Sequence, residues 1–195
     1  REIEKDTRSK QARDRAEEIW AKAETVPLDH PYLGEKSVKA YGIKANSSSL
    51  MVPLRLGQTL HSLQFINATG DKRFLTGGRK TGCYHLIGEP GEVLCVAEGY
   101  ATAASIHEAT GDAVAVAFDA GNLQPVGMEL ARRYPAARLL FCADDDRATD
   151  SNPGVSKATN AAEATGGLIA VPSFPVGTSG TDFNDLHQAC GLDAV

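Results

Sequence analysis

The chain has 195 residues, 42% of them hydrophobic, and a formal net charge of -5, which suffices for one domain or two small ones with a sizeable core. No apolar run approaches the length of a membrane span, and no signal-peptide pattern opens the chain. Cys83, Cys95, Cys142 and Cys190 form no CxxC pair and the 5 histidines no HxxxH pair, which argues against a zinc ribbon or a disulfide framework and for a reducing cytoplasm.

The chain opens on Arg1 rather than Met, as expected of a fragment of a larger protein. Ala12, Ala16, Ile19, Trp20 and Ala23 recur at three- and four-residue spacing, which predicts an amphipathic helix ended by Pro27 and Pro31. Residues 1–29 thus read as a packing helix or connector, with Trp20 as a core anchor. Next, 30–88 reads as a small α+β subdomain. A short helix around 35–40 and a polar loop at 46–49 precede strands 50–56, 60–67 and 72–76. Turn signals at 56–58 and 67–71 make these an antiparallel meander, closed by Gly77 and Gly78. The following turn fails the Walker A pattern because Arg79, not Gly, precedes Lys80; it remains either a phosphate-contacting turn or a solvated loop. From 89 to 195 strands and helices alternate: strands 93–97, 113–118, 138–143 and 168–171, helices 100–110, 123–134, 155–165 and 182–189. Near-continuous apolar strands between helices predict an α/β fold with a parallel sheet covered on both faces.

Charge follows the same division. Residues 30–88 carry 8 basic and 2 acidic side chains, a net of +6, and 89–195 carry 5 and 15, a net of -10, with -1 over 1–29. The basic block suits phosphate backbones; the acidic block suits metal ions.

Within the acidic block, Asp144, Asp145 and Asp146 follow the apolar run 138–143. Like charges about 5 Å apart repel by roughly 3 kcal/mol at an effective dielectric near 20, so the cluster persists more easily beside a cation. In extended backbone Asp144 and Asp146 point to the same side, a hard-oxygen pair suited to Mg²⁺ or Mn²⁺. Glu98 ends strand 93–97 just before a tight turn and a helix, where open α/β sheets bind ligands. Asp182 follows the strand 168–171 and a Gly-rich loop, and also suits a helix N-cap. Asp119 and Asn122 follow strand 113–118 and belong to the same edge, or to a turn.

Three stretches resemble the Toprim family. VLCVAEGYATAA at 93–104 is similar to its glutamate motif, LLFCADDDRA at 139–148 to its DxD motif with Asp144 and Asp146 as the acids, and TDFNDL at 181–186 to the third acidic motif of Toprim primases. Over roughly 30–195 the chain most resembles the catalytic cores of plasmid and phage primases. Their basic N-terminal subdomain is matched here by Val52, Pro53, Gly57, Lys72, Arg79 and Lys80. It departs from the commoner primase pattern at an inserted loop, 149–153, that makes the helix-opening Gly154 late.

The resemblance implies a Toprim domain at 89–195 and template-directed primer synthesis on single-stranded DNA. Asp144, Asp146 and Asp182 would hold Mg²⁺ or Mn²⁺, with Glu98 either ligating metal or acting as general base. Lys72, Arg79 and Lys80 would hold triphosphate or template backbone, and Arg147 and Lys157 are further phosphate candidates. The implied partners are single-stranded DNA, nucleoside triphosphates, and a helicase or other domains of a parent protein. A Toprim nuclease and a non-catalytic nucleic-acid-binding fragment are the alternatives. A topoisomerase is disfavoured, since no domain supplying a nucleophilic tyrosine fits in this length.

Overall fold

A computed structural model describes residues 2–47 and 49–195, with side chains from residue 7 onward. The chain divides into two compact units, 1–85 and 86–195. No helix among the described residues is long and apolar enough to cross a membrane.

The first unit is a four-stranded antiparallel sheet with a long helix on one face. Helix α1 (Glu2–Ala21) leads to the short α2 (Pro31–Lys36), then β1 (Lys44–Asn46), β2 (Ser49–Leu56), β3 (Thr59–Asn67) and β4 (Lys72–Phe74), which pair in chain order. The alanine spacing in α1 has the expected consequence. Ala16 is fully buried against Met51, Leu60, Leu63 and Leu75, with Ile19, Trp20, Ala23 and Phe65 packed around them. Trp20 is a partly buried anchor with Lys44 Nζ 4.9 Å and the Arg55 guanidinium 5.9 Å from its ring centre. Two expectations shift. The helix predicted at 35–40 lies at Pro31–Lys36, because Pro31 starts it and Ser37 ends it in the left-handed region at φ 55°, a common C-terminal stop. The loop predicted at 46–49 is a tight hairpin in which Asn46 pairs with Ser49. Its strand β1 is too short to carry a period-two signal, and Ser48 lies outside the described residues.

The second sheet contains β5 (His85–Ile87), β6 (Val93–Ala97), β7 (Ala113–Val116), β8 (Arg138–Cys142) and β9 (Leu168–Ala170), in the spatial order β5-β7-β6-β8-β9. The pairs β6–β7, β6–β8 and β8–β9 are parallel. Helices α3 (Tyr100–Thr110), α4 (Leu123–Arg133) and α5 (Pro153–Thr165) are the crossovers, and α6 (Phe183–Cys190) follows β9. The chain steps one way from β6 to β7 and the other way from β7 to β8 to β9. Right-handed crossovers then place α3 on one face and α4 and α5 on the other. The packing agrees, since α3 packs on α6 and α4 on α5. Cover is complete over β7 and thins at the edge strand β9, where Leu168 and Ile169 are exposed.

Leu63 is fully buried at the centre of the α1 contact. Leu63→Ala should lower stability by about 2–5 kcal/mol, measured by urea unfolding followed through the fluorescence of Trp20, the single tryptophan and a neighbour in the same cluster. A loss below about 1 kcal/mol would mean that α1 does not share the core of the meander.

Candidate active site

Strand register carries the acids to one edge. Ala97 of β6 pairs with Val116 of β7 on one side and with Cys142 of β8 on the other. The next residues of the three strands therefore leave the sheet together: Glu98, then Asp119 two residues beyond Ala117, then Asp144 after Ala143. Pairing continues past the strand ends. Ala117 N–H donates to the Ala97 carbonyl and Phe118 N–H to the Glu98 carbonyl, both at 2.8 Å. The crossover from β6 runs to β7 on one side and that from β8 to β9 on the other, so the gap between β6 and β8 is the topological switch point, where open α/β sheets form their binding crevice. Glu98 and Asp144 flank it.

Each acid has its own local support. Phe118 holds φ 74°, a costly region for a bulky residue, and this turn aims Asp119 back along the edge. The Asp119 carboxylate accepts from Asn122 N–H at 2.9 Å, while Asn122 is buried and donates through Nδ2 to the Ala117 carbonyl at 2.8 Å. Asn122 is thus a turn residue. Asp182 caps α6: its Oδ1 accepts from Asn184 N–H at 2.7 Å and Asp185 N–H at 2.9 Å. The Asp185 carboxylate reaches back to Thr181 N–H at 2.9 Å, a capping-box arrangement moved by one residue. Asp145 N–H donates to the Thr181 carbonyl at 2.6 Å, which ties the loop after β8 to the loop before α6.

The three consecutive aspartates divide by alternation. Asp145 turns inward and is 5% exposed. It accepts from Arg147 Nε at 2.8 Å and from Asn152 Nδ2 at 2.7 Å, and its hydrogen bond with Arg147 is the main reason its carboxyl is held below the usual range. Asp145 therefore fastens the inserted loop. Asp144 and Asp146 are left half-buried on the other side. The first turn of α5 closes against them. A Cβ at Gly154 would meet the Asp144 carbonyl oxygen at 2.2 Å and Asp146 Oδ2 at 3.1 Å, so only glycine permits this approach. Pro153, not Val155, opens α5; its fixed φ suits the first helical position.

Glu98 feels all of this. Its pKa is pushed up to about 7, first by burial, then by Asp146 and Asp119, and further by Asp182, against a hydrogen bond from the Ala120 backbone that lowers it. Glu98 Oε1 is buried and has no hydrogen-bond partner in the structure. A buried, unsatisfied carboxylate oxygen in the field of three other acids fits a divalent cation. Among the described residues, no three Asp, Glu, His or Cys side chains already converge as one ligand set.

The basic candidates behave differently. Lys72 and Arg79 are exposed and Lys80 is half-buried, on β4 and the turn after it. The Arg147 guanidinium is engaged by Asp145 although its side chain stays 68% exposed. Lys157 is exposed on α5. Sequence reading did not single out the fastening role of Asp145, though alternation along 144–146 carried the signal. It also missed the positive φ of Phe118, which no local pattern announces.

A family model described as Toprim domain matches residues 93–193. A DNA primase TraC of Escherichia coli is 34% identical over 182 residues, covering 83% of this chain and 13% of that protein. A second DNA primase TraC of Escherichia coli is 41% identical over 125 residues, covering 60% of this chain and 12% of that protein. The chain thus spans a small part of the length of the curated relatives it matches. Among solved structures, the DnaG catalytic core superposes with a TM-score of 0.57 at 15% identity, covering 94% of this chain and 76% of that one. A DnaG primase catalytic domain bound to single-stranded DNA gives 0.52 at 17% identity, covering 87% and 57%. At these identities the likeness is one of fold.

The Glu98 environment has a measurable consequence. Its carboxyl sits at about 7, above the ordinary 4.5, so the native chain holds this proton more tightly than the unfolded chain. The stability that the proton contributes is fully present below the unfolded value and is lost as pH rises through about 7. Glu98→Gln should leave stability unchanged near pH 4 and raise it at pH 8 by on the order of 2 kcal/mol, read from thermal melts with a chelator present. An equal difference at both pH values would rule out a buried charge at this position.

Proposed function

The chain belongs to the Toprim domain family, and from that premise we propose that its acidic sheet edge performs metal-dependent nucleotidyl transfer: template-directed primer synthesis on single-stranded DNA. The observation that carries this reading is Glu98, buried at the switch point with an unsatisfied oxygen and a pKa raised by Asp146, Asp119 and Asp182. The primase names of the curated relatives and the fold shared with DnaG catalytic cores support it.

In this reading Asp144, Asp146 and Asp182 would hold the ion. Mg²⁺ or Mn²⁺, when bound, offsets triphosphate charge and acidifies the attacking hydroxyl. Glu98 accepts the proton from the primer 3′-hydroxyl, a role that suits a buried carboxyl titrating near neutral pH. Asp119 stays fixed by its turn and tunes Glu98 through charge. Asp145, Arg147 and Asn152 hold the loop that presents Asp144 and Asp146. Lys72, Arg79 and Lys80 bind triphosphate or template backbone, and Lys157 is a further phosphate contact. Single-stranded DNA and nucleoside triphosphates are the required partners; a helicase or further domains of a parent protein would deliver the template.

The test is incubation with single-stranded DNA, labelled nucleotides and Mn²⁺. New labelled oligomers are expected. A shortened template instead would make the chain a nuclease using the same acids, and neither product would leave a nucleic-acid-binding fragment. Asp146→Asn should reduce synthesis by at least about 100-fold with an unchanged or slightly higher melting temperature, because it removes a repulsive neighbour of Glu98. Near-normal synthesis by that variant would sink the assignment.

A further inference from the structure

The stretch TDFNDL at 181–186 holds more than its metal candidate. Asn184 is 1% exposed in the first turn of α6. Its backbone N–H donates to Asp182 Oδ1 at 2.7 Å, and its side-chain Nδ2 donates to Ser105 Oγ of α3 at 2.9 Å. His187 stands three residues further along α6, on the same face, and its Nδ1 lies 3.0 Å from the same Ser105 oxygen. Ser105 is fully buried. A hydroxyl has two acceptor sites and one proton to give, so Ser105 can serve both partners at once.

These bonds join two helices that each start at an acid. Helix α3 begins directly after Glu98, with Gly99 as its N-cap, and α6 begins directly after Asp182. The charge of Asp182 is felt at Glu98. Apolar contact alone fixes the seating of α6 on α3 weakly. Among the residues α3 buries are Ala101, Ala103 and Ala104, and alanines allow close approach but offer few protrusions to interlock. A buried hydrogen bond acts differently. It is directional, it strengthens in a low dielectric, and a slide that breaks it leaves a buried polar group unsatisfied. Ser105 therefore accepts one seating of Asn184 and His187, and Asn184 passes that seating to Asp182 through its own N–H. The other end of the stretch is tied as well. The Thr181 carbonyl accepts from Asp145 N–H at 2.6 Å, so Asp182 stands between a clamp to α3 and a clamp to the loop that carries Asp144 and Asp146.

We propose that Asn184, Ser105 and His187 are positioning residues: the hydrogen bonds centred on Ser105 hold Asp182 where it can share a divalent cation with Asp144 and Asp146. This rests on the reading of Asp182 as a metal ligand. Hydrogen bonds behind a ligand orient it without touching the ion, and their loss lowers metal affinity.

Binding of Mn²⁺ alone, read from the electron paramagnetic resonance signal of the free ion, tests this without nucleotide or DNA. Ser105→Ala and His187→Leu should each raise the Mn²⁺ dissociation constant about tenfold. His187→Asn, whose amide can place a polar atom where Nδ1 stands, should restore it. Leu130→Ala, fully buried on α4, should lower the melting temperature and leave Mn²⁺ binding unchanged, which separates positioning from general loss of stability. In primer synthesis, Ser105→Ala should need about tenfold more Mn²⁺ for half-maximal rate and regain the normal rate at saturating Mn²⁺. His187 is half-buried, so His187→Leu decides the matter if Ser105→Ala fails to fold. Normal Mn²⁺ affinity in both variants while Asp182→Asn loses it, or equal weakening by Leu130→Ala, would overturn the positioning role and leave primer synthesis standing. Normal affinity in Asp182→Asn as well would overturn the proposal together with Asp182 as a ligand. No Mn²⁺ binding by the unsubstituted chain would overturn it together with the metal-dependent reading.

Discussion

Parallel hydrogen bonding of β6 between β7 and β8 is the constraint on which the acidic edge depends. Once Ala97 is in register with Val116 and Cys142, the chain has no choice about where Glu98, Asp119 and Asp144 emerge. Charge repulsion opposes this arrangement, and the surrounding hydrogen bonds offset it unevenly. Asp119 and Asp182 are each fixed by backbone N–H groups of the turn or helix they start, and Asp145 by Arg147 and Asn152. Glu98 keeps an unsatisfied oxygen and takes up the imbalance as a raised pKa. Titratable groups perturbed by burial together with specific charges concentrate where proteins work.

Close backbone approach is the second requirement. Gly154 lets α5 start directly beneath the Asp144 carbonyl, and Gly127 of α4 faces Phe141 of β8, where a Cβ would stand 2.6 Å from the ring. On the opposite face, α3 buries Ala101, Ala103 and Ala104 against its neighbours. Small residues on both layers keep the helices near the strand ends. The loop between β8 and α5 can then be short-tethered by Asp145 despite its five-residue insertion.

Opposite charge divides the labour of a chain that is acidic as a whole. The first unit presents cations on β4 and the following turn, while the inner side of α1 completes the core around Leu63. One helix thus packs with its alanines and turns its charged side chains to solvent, the usual consequence of a 3.6-residue period. The second unit carries most of the acids.

Sequence alone determined the order and type of the long elements, because their apolar periods are strong. The helix at 100–110 and the strand at 93–97 appear with those bounds, and α1 buries the alanines its spacing selected. It also determined that Glu98, Asp144 and Asp146 follow strands, since each stands at or just beyond the end of an apolar run, and that Asp182 follows a strand across a Gly-rich loop. It could not decide that Glu98, Asp119 and Asp144 leave one sheet edge, because strand order is a non-local property, and β7 lies on the other side of β6 from β8. Short elements such as β1 and β5 were illegible, having too few residues for any period. Only the tertiary structure decided that Asp145 turns inward, that Asn122 serves a turn, and that Phe74 stands exposed beside Lys80. Those outcomes depend on which neighbours surround each side chain after folding; alternation along 144–146 and the turn reading of Asn122 left the choice open, and packing made it.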